Sequence, residues 1–260
     1  MSRVSHVPTV FSSPPTSERP QGRPPRARTF GEWRTLLQPV RLFGARARLA
    51  AAPRGDGRLV IDIPGYQSPE SAMAPIRLFL RSKGHDARPW GFGVNRGDPE
   101  RDRMRLLARL ESLVSEAGRP VNLVAWSLGG IIAREVARLR PDLVHRVVVY
   151  GSPLIGGPTY TVAADFTDEK EQRRIAALQE QLDREQPVQV PITTIFSRRD
   201  GVVSWRACLD HYSPRATHVE VRSSHIGLGI DPDVWLAVAE ALAARSHRPG
   251  APERGAAGPA

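Results

Sequence analysis

Short apolar runs alternate with stretches of helical periodicity from about residue 58 to residue 246. Several of these runs are rich in β-branched residues and show no alternation of apolar and polar positions. Strands of this kind are typical of a parallel sheet that is covered on both faces. We predict six strands, at residues 58–63, 86–90, 121–126, 146–151, 191–196 and 217–221.

The segments between the predicted strands carry helix start and stop signals. Asp98 and Asp231 are each followed by proline, so that an N-cap residue precedes proline at the first helical position. Gly118 follows a helical pattern, where a helix C-terminus favours glycine. Strands that alternate with helices predict one α/β domain, with a mostly parallel sheet and helices on both faces. The predicted helices cover residues 75–83, 98–117, 128–139, 167–186 and a last segment from 231 onward.

The two ends of the chain differ in composition from this central part. Residues 1–29 are basic and rich in proline and arginine, and they lack the apolar middle segment of a secretory signal, so we expect a disordered leader. Residues 30–57 are predicted to form a helical extension, and residues 247–260 a flexible tail. The apolar positions of the extension that would pack on the core are Trp33, Leu36, Leu37, Val40 and Phe43.

The formal net charge of +10 is concentrated near the start of the chain. Residues 1–58 contain eleven arginines against three acids, a net charge of +8, while the remainder is close to balanced. We therefore expect no nucleic-acid binding by the core, and at most a weak contact of the leader with an anionic surface. With Cys208 as the only cysteine and no apolar run of transmembrane length, a cytoplasmic location is expected.

One serine stands where its hydroxyl has little structural use. In the stretch VNLVAWSLGG, Ser127 directly follows the apolar run 121–126 and directly precedes a predicted helix. A side chain at this junction lies on a sharp turn at the carboxyl end of a parallel sheet, where the ligand sites of α/β proteins are found. The residues two before and two after the serine must be small in such a turn, and they are Ala125 and Gly129.

The pattern small-x-Ser-x-Gly between a strand and a helix resembles the nucleophile elbow of the α/β-hydrolase superfamily, on its esterase and lipase side. That family usually has glycine at the position of Ala125, and alanine there resembles some small bacterial lipases. The resemblance covers roughly residues 50–245. It implies an α/β-hydrolase domain over residues 58–246, with a small cap insertion at about 152–187.

The resemblance also implies a base and an orienting acid, in the chain order serine, acid, histidine. A serine hydroxyl is a weak nucleophile until a base removes its proton. Asp200 in the segment SRRDGVV and His225 in the segment RSSHIGLG each follow a predicted strand. We therefore predict a catalytic triad of Ser127, Asp200 and His225.

Other acids and histidines occupy less suitable positions. Asp142 precedes a strand, and Asp210 lies in a predicted helix, although it remains a reserve candidate for the acid. Asp200 could also be an ordinary turn aspartate, because turns favour this residue. The remaining histidines precede strands or lie near the chain ends, and they are His6, His85, His145, His211, His218 and His247.

Acyl transfer of this type also needs backbone amides that bind the oxyanion. The family takes one amide from the residue after the nucleophile, here Leu128, and the other from the loop after the first parallel strand. That loop reads IPGYQSPES, and we expect Gly65 to turn the backbone so that the amide of Tyr66 points at the site. A plain Pro-Gly turn at the end of the strand is the alternative.

About forty residues separate the fourth and fifth predicted strands, too many for a simple crossover. The helix predicted at 167–186 carries Ile175, Leu178 and Leu182 on one face. Insertions here form caps over the serine in this family. Our hypothesis is that this helix shields an acyl-binding pocket and determines specificity, which deletion of residues 158–186 would test through the chain-length preference. An ordinary helix covering the sheet is the alternative.

The sequence therefore predicts a serine hydrolase that cleaves small carboxylic esters through an acyl-serine intermediate. No cofactor or metal is implied, because there is neither a His/Cys cluster with ligand spacing nor a glycine loop that could hold phosphate. The same triad could serve a thioesterase, an amidase or an acyltransferase. A poorly catalytic ligand-binding or regulatory protein of the same fold is a further alternative. The oligomeric state does not follow from the sequence.

Overall fold

The computed structural model describes residues 8–20, 22–25, 29, 31–32, 35, 38–162 and 168–244. Its strands are β1 (Thr9–Phe11), β2 (Leu59–Ile63), β3 (Asp86–Pro89), β4 (Val121–Trp126), β5 (Val144–Tyr150), β6 (Ile192–Ser197) and β7 (Ala216–Val221). Its α-helices are α1 (Gln38–Gly44), α2 (Arg46–Ala50), α3 (Ala74–Ser82), α4 (Pro99–Ala117), α5 (Leu128–Leu139), α6 (Glu169–Glu185) and α7 (Pro232–Ala243).

The seven strands form one sheet in the order β1-β7-β6-β5-β4-β2-β3. Strands β2 to β7 are all parallel to one another, and they are the six strands that the sequence predicts. The predicted fold class, a mostly parallel sheet within an α/β domain, is therefore confirmed. Because the strands are parallel, the loops that follow β2, β4, β6 and β7 all leave the same edge of the sheet.

Helices cover both faces of the sheet, as the apolar character of the strands predicts. Along β5, Val147 and Val149 belong to a buried cluster that also contains residues of α4 and α5. Val148 and Tyr150 point the other way, into a cluster with residues of α3 and α7. Burial of one aliphatic side chain contributes about 1.5–3 kcal/mol. The two clusters, one on each face of the sheet, hold the strands in place and with them the loops at the strand ends.

The strand β1 lies within the leader that we predicted to be disordered. It pairs antiparallel with β7, with Val10 opposite Val219 and Phe11 opposite His218. Without it, β7 would be a sheet edge with unpaired main-chain groups. Phe11 also packs against the buried cluster around Phe196. The expectation of disorder is wrong for this short segment, because main-chain pairing does not depend on the composition of the leader.

The helical extension also differs from its prediction. Its described part contains the two short helices α1 and α2, and on α1 the apolar side chains of Val40 and Phe43 are 69% and 70% exposed. The polar side chain of Gln38 is buried instead, and Leu42 and Leu49 pack against the core. The other three positions that we expected to face the core, Trp33, Leu36 and Leu37, lie outside the described residues.

The helix α6 of the long insertion is attached to the domain by polar contacts as much as by its apolar face. The carboxylate of Asp183 forms ion pairs with the guanidinium groups of Arg134 and Arg138 on α5, and all three side chains are buried. In contrast, Leu178, which was expected on the inner face, is 51% exposed.

Predictions for the extreme ends of the chain fall outside the structure. Residues 1–7 of the predicted leader and the whole predicted tail, 247–260, are not among the described residues. In the part of the chain that is described, no helix has the length and apolar character needed to cross a membrane.

Candidate active site

Ser127 occupies a strained turn between β4 and α5. Its backbone angles are φ 52° and ψ −124°, a region that side chains other than glycine rarely adopt. The turn is held by two hydrogen bonds, from the Ser127 amide to the Tyr150 carbonyl (3.0 Å) and from the Gly130 amide to the Ser127 carbonyl (2.9 Å). A hydroxyl side chain at an over-determined, strained position is typical of a functional residue.

The small residues around the serine are required by close backbone contacts. A Cβ atom at Gly129 would lie 2.6 Å from the carbonyl oxygen of Ile63 at the end of β2. A Cβ atom at Gly65 would lie 3.1 Å from the Cβ atom of Ser127. Ala125 is fully buried and pairs with Ile63 across the sheet, which leaves little room for a larger side chain.

The three residues predicted as the triad lie in one hydrogen-bonded chain. The Oγ of Ser127 is 3.2 Å from the Nε2 of His225, and the Nδ1 of His225 is 2.7 Å from the Oδ2 of Asp200. The other carboxylate oxygen of Asp200 accepts hydrogen bonds from the amides of Val202 (2.8 Å) and Val203 (2.7 Å). Because an ionised carboxylate only accepts, Nδ1 of the imidazole carries the proton and Nε2 is free to accept one from Ser127.

The environment of His225 increases its basicity. Burial of the imidazole would by itself lower its pKa. The charge and hydrogen bond of Asp200, together with the charge of Glu32, outweigh burial and raise the pKa of His225 above its ordinary value. The side chains of His225 and Asp200 are both buried, so water does not screen this interaction strongly.

The histidine reaches the serine across the ends of two strands, β6 and β5, which lie between β7 and β4 in the sheet. In the sheet, β5 lies between β4, which precedes Ser127, and β6, while His225 follows β7. The residue after β5 is Gly151, with φ 57°, and a Cβ atom there would lie 3.2 Å from the imidazole and 2.7 Å from Leu228. The absence of a side chain at Gly151 therefore leaves the space that the imidazole needs.

The loop that follows β2 is held against the elbow. The Ser68 amide donates to the Gly65 carbonyl (3.1 Å), which closes a tight turn around Tyr66 and Gln67. The buried side-chain amide of Asn95 donates to the Pro64 carbonyl (2.9 Å) and fixes the start of the same loop. The role of Asn95 was not predicted from the sequence, because nothing there distinguishes it from other loop asparagines.

The two amides expected to bind an oxyanion are available. Within the described part of the chain, neither the Tyr66 amide nor the Leu128 amide donates a hydrogen bond. The Leu128 amide belongs to the first turn of α5, which also favours negative charge. The Tyr66 side chain is 56% exposed, and its ring lies over Gly97.

Two further residues near the site were missed by sequence reasoning. The indole of Trp126, directly before the nucleophile, packs on the imidazole of His225 with ring centroids 5.6 Å apart. Glu32 accepts hydrogen bonds from the amide of His225 and from that of Gly201, next to Asp200. An aromatic residue at the end of a strand gives no signal of this role, and Glu32 precedes the predicted domain.

The rival acids lie in other contacts. Asp142 forms an exposed ion pair with Arg140 (2.7 Å). Asp210 is buried, and its carboxylate accepts from Arg134 (3.3 Å) and from the Ser213 hydroxyl (2.7 Å). Neither forms a hydrogen bond with His225.

The rival histidines also have other surroundings. The imidazole of His218 bonds to the main chain of Asp210 (3.1 Å). His85 is buried beside Gly55, whereas His145 and His211 are half-buried away from the hydrogen-bonded chain. The last two histidines of the chain, His6 and His247, lie outside the described residues.

Solved structures with the same fold include three enzymes. An esterase from Pyrococcus furiosus has a TM-score of 0.54 at 18% identity, over 72% of this chain and 83% of that chain. A monoacylglycerol lipase from Paleococcus ferrophilus has a TM-score of 0.54 at 14% identity, over 74% and 96%. A carboxylesterase from Bacillus subtilis has a TM-score of 0.51 at 15% identity, over 74% and 86%. Identities this low establish a shared fold and leave the substrate open.

Sequence comparisons define the family. No curated protein matches the chain significantly. A family model does match, over most of the chain, and its span includes both the elbow around Ser127 and the loops of Asp200 and His225. With a mostly parallel sheet and a matching family model over residues 30–257, this chain belongs to the alpha/beta hydrolase family.

Proposed function

We propose that this protein is a serine hydrolase that cleaves carboxylic esters through an acyl-serine intermediate. The observation that carries the proposal is the hydrogen-bonded chain from Asp200 through His225 to Ser127, at the carboxyl end of the parallel sheet. The esterase, lipase and carboxylesterase of similar fold favour an ester as the substrate. No observation favours a second function.

In the acylation step, the Oγ of Ser127 attacks the carbonyl carbon of the ester while the Nε2 of His225 accepts the hydroxyl proton. The carbonyl oxygen becomes an oxyanion, and the amides of Tyr66 and Leu128 donate to it. The bond to the alcohol oxygen then breaks, and Nε2 returns the proton to the leaving alkoxide. The products are a free alcohol and an acyl group esterified to Ser127.

In the deacylation step, water attacks the acyl carbon and His225 accepts a proton from it. The second oxyanion collapses, the bond to the Ser127 oxygen breaks, and the proton returns to that oxygen as the carboxylic acid leaves. Throughout, Asp200 keeps the proton on Nδ1 of His225 and stabilises the imidazolium.

The insertion at about 152–187 is proposed to act as a cap that determines the acyl chain length. Its helix α6 is fixed at its C-terminal end by the buried ion pairs of Asp183, and Gln179 donates to the Leu154 carbonyl (2.9 Å). Deletion of 158–186 would remove Asp183 and leave the buried Arg134 without one of its carboxylate partners, so the deletion has to be accompanied by a check of folding.

Labelling with a fluorophosphonate probe, which reacts with activated serines, tests the function. We expect the probe to label the native protein at Ser127 and to leave Ser127→Ala unlabelled. The kcat/KM of Ser127→Ala on nitrophenyl esters should be lower than that of the native protein by several orders of magnitude. Ser112→Ala, which changes an exposed serine on α4, is the matched control and should retain labelling and rate. A native protein that hydrolyses no faster than Ser127→Ala would contradict the proposal and favour the binding-protein alternative.

A further inference from the structure

A segment between β1 and β2 lies across the two loops that carry Asp200 and His225. We call the described residues 29, 31–32, 35 and 38–41 the N-terminal strap. The hydroxyl of Thr29 donates to the Gly201 carbonyl (2.9 Å). The hydroxyls of Thr35 and Ser224 are 3.0 Å apart. Hydrogen bonds from the strap therefore reach the loop after β6 and the loop after β7.

Glu32 is the residue of the strap that bonds to both loops at once. One carboxylate oxygen, Oε1, accepts from the amide of His225 (2.9 Å) and from the amide of Gly201 (3.1 Å). The other, Oε2, accepts from the amide of Ile226 (2.9 Å). A carboxylate has enough lone pairs for all three donors, and hydrogen bonds to a charged acceptor are about twice as strong as neutral ones.

These three amides are close to the chemistry. Two of them belong to His225 and to the residue after it, at the start of the 3-10 helix Ile226–Ile230, and the third belongs to the residue after Asp200. A shift of one loop against the other would change the 2.7 Å distance between the Nδ1 of His225 and Asp200. Glu32 opposes such a shift, because its Oε1 ties both backbones to a single atom.

We infer that Glu32 is a positioning residue for the Asp200–His225 pair, which it holds in register from outside the sheet while adding a second negative charge near the imidazole. The inference rests on the proposed function for its effect on catalysis. The effect of Glu32 on His225 itself does not depend on which substrate the protein uses.

The charges that act on the imidazole agree with this role. Two carboxylates, those of Asp200 and Glu32, raise the pKa of His225 against the lowering effect of burial. The 3-10 helix after His225 packs against α1, α3 and α7. Two arginines of these helices are themselves paired with carboxylates, Arg41 with Asp231 and Asp233, and Arg77 with Asp62.

Three variants of the full-length chain separate charge from geometry. Glu32→Gln removes the charge and leaves one good acceptor, and Glu32→Asp keeps the charge on a shorter side chain. Glu18→Gln is the matched control, since it makes the same chemical change at a glutamate that precedes the strap in the chain and pairs with Arg206 (2.7 Å) at the surface. Thermal unfolding of each variant checks that it is folded.

The first measurement is the titration of His225 by NMR on protein with labelled histidine, assigned by comparison with His225→Asn. We expect the pKa of His225 to fall in Glu32→Gln and to stay near the native value in Glu32→Asp and Glu18→Gln. An unchanged pKa in Glu32→Gln would overturn the electrostatic part of the inference.

The second measurement is ester hydrolysis on the alkaline plateau, where His225 is neutral in every variant. We expect kcat to fall roughly 10- to 100-fold in Glu32→Asp, whose shorter side chain no longer reaches both loops, and less in Glu32→Gln, which keeps one acceptor at full length, with KM within about twofold. A kcat in Glu32→Asp equal to that of Glu18→Gln would overturn the positioning role. If the native protein cleaves no ester but Glu32→Gln still lowers the pKa of His225, the proposed function fails while the link between Glu32 and the histidine stands.

Discussion

Replacement of Asp200 by asparagine is expected to leave the fold intact and abolish most of the activity. In the native protein, Oδ1 of Asp200 accepts from the amides of Val202 and Val203, and Oδ2 accepts from Nδ1 of His225. Asparagine has one acceptor oxygen and one donor NH2 group. Two main-chain donors compete for the oxygen against one imidazole donor, so the oxygen of the asparagine should face the amides. The NH2 group then faces His225.

An NH2 group beside Nδ1 forces the wrong tautomer of the imidazole. His225 then accepts at Nδ1 and carries its proton on Nε2, so it cannot take the proton of Ser127. Restoring the productive tautomer requires the asparagine to flip, which leaves two buried amides without an acceptor at about 1–3 kcal/mol each. The total of about 2–6 kcal/mol corresponds to a loss of roughly 30-fold to 10⁴-fold in rate.

The assay is kcat and KM on a nitrophenyl ester for the native protein and for Asp200→Asn, with thermal unfolding as the folding check. We expect the loss to appear in kcat and not in KM, because Asp200 is buried behind His225 and KM reflects the binding of the substrate. Asp210→Asn is the matched control: it makes the same chemical change at the rejected acid, which contacts Arg134 and Ser213 instead of His225. An Asp200→Asn protein with more than a third of native activity, or an Asp210→Asn protein with the greater loss, would refute the assignment.

Three other predictions concern the elbow, a buried ion pair and the pH dependence. Gly129→Ala should lower the free energy of unfolding in urea by roughly 1–3 kcal/mol or more, since its Cβ would lie 2.6 Å from the Ile63 carbonyl; an unchanged midpoint would contradict that contact. Arg77→Ala leaves the Asp62 carboxylate buried and unpaired, and should cost about 3–5 kcal/mol in the same assay, with Arg77→Lys costing less. Activity should be lost as pH falls through the pKa of His225, because the base must be neutral. Since that pKa is raised, the midpoint of the kcat/KM profile should lie above pH 6.5. A midpoint below pH 6.5 would argue against a buried histidine paired with Asp200.

The sheet and the hydrogen-bonded chain were accessible from the sequence because their signals are local. Each predicted strand is a short apolar run, and Ser127, Asp200 and His225 each follow such a run. Parallel strands place their carboxyl ends at one edge, so three residues in equivalent positions approach each other without any knowledge of the packing. The turn at Ser127 is also local, because its neighbours Ala125 and Gly129 must be small for backbone reasons.

Polar side chains that are buried with their hydrogen-bond partners could not be predicted from the sequence. The periodicity of residues 30–49 placed Val40 and Phe43 inward, yet the structure buries Gln38, whose amide donates to the Ser223 hydroxyl (3.0 Å) and to Asp231 (3.1 Å). A polar group is buried at low cost only when such acceptors exist, and the sequence does not show which groups meet.

The same reason explains the helix α6. Its apolar residues predicted a hydrophobic inner face, while the structure attaches it largely through the buried carboxylate of Asp183. Charged residues are almost always exposed, so a pattern of apolar positions assigns Asp183 to the solvent side. Its partner Arg134 lies some fifty residues earlier in the chain, and no short-range pattern connects the two.

The position of Glu32 changes where the proposed catalytic unit begins. A boundary drawn on hydrophobic pattern places the start at residue 58, because the first buried parallel strand begins there. Such a boundary keeps every residue of the hydrogen-bonded chain but removes the carboxylate that accepts from the amides of His225 and Gly201. The family match begins at residue 30, two residues before Glu32. We therefore expect a shortened protein that starts at β2 to retain Ser127, His225 and Asp200 and to lose the contact that we propose holds His225 beside Asp200, and with it the orientation of the imidazole toward Ser127.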